Sequence, residues 1–86
     1  MKNKLVEIHW HDILEEAGWV DDFDHDTLHP LKTYGLYIGT YKERTTGMKI
    51  VVIANTYDPE LKQWGGRNKI PKGCILKMKT ICTVEV

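Results

Sequence analysis

The stretch Met48 to Asn55, MKIVVIAN, constrains the fold of this chain more than any other. Ile50, Val51, Val52 and Ile53 are consecutive, apolar and β-branched. Such a run is too short for a buried helix and suits a strand covered on both faces. A strand of that kind needs neighbours on every side. Before it, Tyr34 to Lys42 leads into Glu43, Arg44, Thr45, Thr46 and Gly47, a short polar connection with glycine where a hairpin loop needs positive φ. Tyr34 to Asn55 is therefore expected to be an antiparallel hairpin.

Further strands can be placed around that hairpin. Leu5 to Trp10 alternates, with Val6, Ile8 and Trp10 on one face and Leu5, Glu7 and His9 on the other. Asp12 to Gly18 resembles an aspartate-capped helical turn stopped by glycine. Gly18 to Pro30 lacks a sustained period and is expected to be a long loop pinned by Trp19 and Phe23. In Tyr34 to Lys42, alternation puts Leu36 and Ile38 on one face and Tyr37 and Tyr41 on the other. Gly35 and Gly39 flank Tyr37, leaving room either for bending or for a flat ligand to approach the backbone, and curvature is the simpler reading.

Asn55 to Arg67 is expected to be a second long loop, opened by a turn at Asp58-Pro59 and eased by Gly65-Gly66. A last strand opens at Ile70-Pro71-Lys72-Gly73, with Cys74, Leu76 and Met78 inward and Lys77 and Lys79 outward. A shift of phase near Ile81 marks a bulge or a crossover to a short final strand. Strands are thus expected near residues 4–11, 34–43, 47–56 and 73–84. The fold class is all-β in a single domain, residues 1–86: a small antiparallel β-barrel or strongly bent sheet, SH3/Sm-like, with at most one short helix.

Charge narrows the function. Residues 1–30 carry two lysines against eight carboxylates, a net −6, and residues 31–86 carry ten cations against four carboxylates, a net +6. That division suits association between copies or a local anion site better than the uniform field of a duplex-binding protein. The small core and the two oppositely charged halves point to a homo-oligomer, with no duplex nucleic acid as partner. The apolar run at the N-terminus is too short for a signal peptide or membrane span, so no membrane partner and a cytoplasmic location are expected. Cys74 and Cys82, eight residues apart, lie roughly 26 Å apart if both sit on one strand at about 3.3 Å per residue, which no disulfide spans.

Catalytic chemistry is hard to assemble from these residues. The chain contains no serine, and the two cysteines fall on a core pattern rather than beside a base. His9, His11, Asp12, His25 and His29 lack any recognised metal-ligand spacing. No catalytic residue, metal ligand or cofactor is assigned, and no enzyme activity is expected. Binding of a nucleotide-like anion fits better. Trp64-Gly65-Gly66-Arg67 and Ile70-Pro71-Lys72-Gly73 combine a stacking surface, accessible backbone N–H groups and cations.

A wider pattern is carried by Val6, Ile8, Trp10 and Asp12, then Gly18-Trp19, Pro30, Gly35 and Ile53-Ala54, and finally Ile70-Pro71-Lys72-Gly73-Cys74-Ile75. It resembles a family of small phage-encoded sponge proteins of the anti-CBASS type. The resemblance implies sequestration of cyclic nucleotide signals of bacterial antiphage defence, without cleavage, by homo-oligomers that hold the ligand at subunit boundaries in the host cytoplasm. In that reading Trp10, Trp19 or Trp64 stacks a base, Arg67, Lys69 or Lys72 neutralises phosphate, and Asp12 accepts from a base amino group. Tyr37 and Asn55 complete the ligand-binding set. The alternative is a phage interaction protein whose aromatic loops dock on and inhibit a host protein.

Overall fold

The computed structural model describes residues 1–11 and 30–86. These form five antiparallel strands in one sheet: β1 (Lys2–His11), β2 (Pro30–Lys42), β3 (Lys49–Asp58), β4 (Gln63–Pro71) and β5 (Ile75–Glu85). A single 3-10 turn, Lys72–Cys74, separates β4 from β5. The order across the sheet is β4-β3-β2-β1-β5, so the first four strands meander and the fifth returns to the far side of β1. The sheet is open, with β4 and β5 as its edges. The expected helical turn at Asp12 and the loop Gly18–Pro30 lie largely outside the described residues.

β3 is the two-faced strand that its composition demands: Ile50, Val51, Val52, Ile53 and Ala54 are all buried. On one face Val51 and Ile53 pack with Val6, Ile8 and Ile70, and Trp10, Tyr37 and Ile75 lie against this cluster. Burying each isoleucine or valine side chain of this cluster contributes about 1.5 to 3 kcal/mol. Gly35 is required here. It sits opposite Val6, and a Cβ on it would lie 3.1 Å from Ile53 Cδ1 and 3.1 Å from the Ala54 carbonyl oxygen. Its missing side chain is the space that Ile53 fills.

The Tyr34–Asn55 hairpin is present, paired from Lys42↔Lys49 to Leu36↔Ala54. Its loop is closed by Glu43. That carboxylate accepts from the Thr46 hydroxyl at 2.7 Å and from the Thr46 and Thr45 amides at 2.7 and 3.1 Å. Gly47 adopts φ +72° and donates to the Glu43 carbonyl at 2.9 Å.

Three expectations need correction. The loop placed at Asn55–Arg67 is the end of β3, a tight turn and most of β4. Only the turn survives, with Asp58 Oδ1 accepting from the amides of Glu60 and Leu61 at 2.9 and 3.3 Å. Second, Tyr37 and Tyr41 do not share a face. The β2–β3 register slips between Tyr37 and Gly39, leaving Ile38 as an extra residue and reversing the alternation beyond it. Asn3, just past the last β1–β2 pair, donates from Nδ2 to the Tyr37 carbonyl at 3.2 Å and so satisfies a backbone acceptor at the slip. Third, Leu76 and Met78 are 57% and 47% exposed: Leu76 is the extra residue at a second slip against β1, and Met78, though opposite Ile8 on the core face, lies on an edge strand that among the described residues has only β1 beside it. The phase shift near Ile81 is there as a bulge opposite Leu5/Val6, and β5 continues through it without crossing over.

Candidate anion-binding groove

The slip at Ile38 has a consequence on the face opposite the core. Beyond it Gly39 pairs with Val52, and Val52 pairs with Lys69 on β4. A Cβ built on Gly39 meets nothing within 4 Å. The missing side chain therefore opens a gap with Val52 as its floor. Tyr41 and Ile38 bound it along β2, and Arg67 and Lys69 bound it along β4. The resulting groove has a volume of about 270 Å³ and is open to solvent.

Arg67 and Lys69 point to the same face because they alternate on one strand, which separates their Cα atoms by roughly 6.6 Å at about 3.3 Å per residue. Both are exposed. Among the described residues the ion pairs are Met1–Glu85 and Glu7–His9, and neither involves these two cations. Lys69 Nζ lies 5.9 Å from the centre of the Tyr41 ring. A cation–π contact of that length at an exposed site is worth about 0.5 to 1 kcal/mol, weak enough for a ligand to displace. Thr40 borders the groove along β2, but its pairing with Val51 turns its side chain to the core face, where the hydroxyl is bonded to the Tyr37 hydroxyl at 2.8 Å. Two cations, one aromatic ring and an apolar floor suit a flat, anionic molecule.

Of the residues expected to bind ligand, Arg67 and Lys69 come together in this groove. Tyr37 lies outside it, its ring packed on the core face and its hydroxyl bonded there to Thr40. Trp10 lies against the core on β1 and donates from Nε1 to Thr33 Oγ1 at 2.8 Å. Trp64 is half-buried against Tyr57, ring centres 4.7 Å apart and tilted by 51°. Asn55 is directed at Gly66, away from the groove, and its Oδ1 accepts from Thr56 Oγ1 at 2.8 Å. Lys72 is exposed on the 3-10 turn outside the groove. Asp12 and Trp19 lie outside the described residues.

Ile38, Thr40, Tyr41 and Val52 were not expected at a site. The signal for them is Gly39-x-Tyr41 set across from Arg67-x-Lys69, visible only when residues 63–71 are read as a strand. Of the histidines, His9 and His11 lie among the described residues, and His25 and His29 lie outside them. His9 bonds Glu7 across one residue of β1, which first, with Lys32 and Lys79 nearby, holds the Glu7 carboxyl below its ordinary range. No group of three His, Cys, Asp or Glu able to hold a metal ion occurs among the described residues. No helix among them is long and apolar enough to cross a membrane. Comparison of the chain with protein-family models, curated proteins and solved structures finds no match.

Proposed function

We propose that the groove binds a nucleotide signal, a cyclic oligonucleotide or a related molecule, and holds it without hydrolysis. The observation that carries this reading is the pair Arg67 and Lys69 beside Tyr41 over the gap at Gly39. One stacked base contributes about 1 to 3 kcal/mol and each charge-assisted contact about 1.5 to 3 kcal/mol. Together they give about 4 to 9 kcal/mol before ordering costs, which corresponds to millimolar to sub-micromolar affinity. Sequestration of a defence signal, the role of the phage-encoded sponges that the sequence resembles, needs binding of this kind and no catalytic group.

Two finer points belong to the same proposal. The sheet bends toward an SH3/Sm-like half-barrel around the Val6, Ile8, Val51, Ile53 and Ile70 cluster, a reading supported by the burial of both faces of β3. The protein acts as a homo-oligomer in the host cytoplasm, with ligand at the boundary between copies, a reading supported by a solvent-open groove whose two cations stand on edge strand β4.

The test is calorimetric titration against cyclic dinucleotides, cyclic trinucleotides and cyclic ADP-ribose isomers, then heat denaturation and chromatography of the released material. Intact nucleotide supports a sponge, and linear product makes the protein an enzyme. Absence of heat with every member favours a second reading, inhibition of a host protein. That reading draws on the half-exposed Leu76, Met78 and Ile81 along β5 and on the Tyr57–Trp64 pair at the end of the β3–β4 hairpin.

A further inference from the structure

We infer that the groove distinguishes nucleotides by the hydrogen-bonding character of the base and selects guanine over adenine. This rests on the nucleotide-binding reading above. The side chains that line the groove are strongly biased toward donors. Arg67 offers five N–H donors and no acceptor, and Lys69 offers three and no acceptor. The Thr40 hydroxyl is engaged by Tyr37, and Ile38 and Val52 are apolar. Among the described residues, no carboxylate or amide side chain lines the groove.

The two cations are suited to different tasks. Lys69 is a compact point charge on a flexible stem, already over the Tyr41 ring, and can follow a phosphate wherever the base settles. Arg67, two residues before Lys69 on β4 and at the end of the groove away from Tyr41's row, carries a planar fork that matches two acceptors side by side. Guanine presents such a pair on one edge, N7 and O6. Adenine presents N7 beside an amino donor, which would face the Arg67 donors and leave its own hydrogens unsatisfied. Cytosine offers an amino donor in the corresponding place. With a base seated over Val52, one end against Tyr41 and its phosphate on Lys69, the far edge turned toward β4 is presented to Arg67, and guanine alone fills both arms of the fork.

The experiment titrates the full-length protein with cyclic di-GMP, cyclic di-AMP and a 7-deazaguanine analogue of cyclic di-GMP, for the wild type, Arg67→Lys and Lys69→Met. Both variants are exposed on an edge strand, and melting curves establish that they fold. The expected result is cyclic di-GMP binding at least about tenfold tighter than cyclic di-AMP, the size of a bidentate contact's discrimination, with the deaza analogue falling to the adenine level. Arg67→Lys removes most of that preference, bringing the two affinities to within about threefold of each other whatever their absolute values, and Lys69→Met weakens both ligands alike. Equal or tighter binding of cyclic di-AMP overturns this inference and leaves the sponge reading standing. So does an Arg67→Lys variant that weakens both ligands by one factor. Absence of binding by every nucleotide here and in the wider panel overturns both.

Discussion

Gly66→Ala offers the sharpest check on how β4 is built. Gly66 sits in the strand at φ +59°, a left-handed conformation. An alanine there costs about 1 to 2 kcal/mol from backbone sterics alone. Space adds a second term. The new Cβ would lie 1.8 Å from Asn55 Oδ1 and 2.4 Å from its Cγ, so Asn55 must leave its rotamer and release the 2.8 Å bond from Thr56. Those losses add about 1 to 2 kcal/mol, since the bond is exposed and the side chain can turn. The total is about 2 to 4 kcal/mol, a fall in melting temperature of about 8 to 30 °C for a domain of this size. Asn55→Ala removes the obstacle. In that background Gly66→Ala should cost only the backbone term, giving a coupling of about 1 to 2 kcal/mol between the two positions. Thermal and chemical denaturation of the four proteins completes the cycle. A Gly66→Ala variant within about 0.5 kcal/mol of wild type would show that β4 does not take this path, and equal costs in both backgrounds would refute the clash with Asn55.

Other expectations follow from the core, the hairpin loop and the groove. Ile53 is fully buried, so Ile53→Ala should cost about 2 to 5 kcal/mol in denaturant titration, and a loss below about 1 kcal/mol would contradict its place at the centre of the packing. The Thr46 hydroxyl, then the Thr46 and Thr45 amides, hold the Glu43 carboxyl down at about 2 from its ordinary 4.5. A depressed carboxyl contributes stability above its unfolded pKa that is lost as pH falls toward the folded one. Melting temperature should therefore drop between about pH 4.5 and pH 2 more steeply in wild type than in Glu43→Gln, and superimposable profiles would remove Glu43 from the account. Tyr41→Ala should weaken nucleotide binding about 5- to 150-fold by removing the stacking surface, while Trp64→Phe, across the hairpin against Tyr57, should leave calorimetric affinity within about twofold. The reverse ranking would move the site to the Trp64 end.

What the sequence by itself determined were the features that depend on local chemistry or on a period of two. The apolar run Ile50 to Ile53 needed cover on both sides wherever it lay, and it has it. Val6 and Ile8 alternate with Glu7, and the first two lie in the core. Gly47 takes the positive φ that its loop demanded, Asp58-Pro59 turns the chain, and Ile81 breaks phase at a bulge. Tertiary structure decided whatever depends on neighbours from distant parts of the chain. Gln63 to Pro71 has no apolar alternation because an edge strand covers little, and only its ladder to β3 makes it β4. Leu76 and Met78 have the look of core residues, yet a slip against β1 leaves Leu76 as an extra residue, and the strand order gives β5 no second neighbour beside Met78 among the described residues. The groove is the clearest case. One extra residue at Ile38 turns Tyr41 away from Tyr37's face and sets Gly39, Val52 and Lys69 in one row. Such a slip is a choice of pairing between strands, written in no single segment of either.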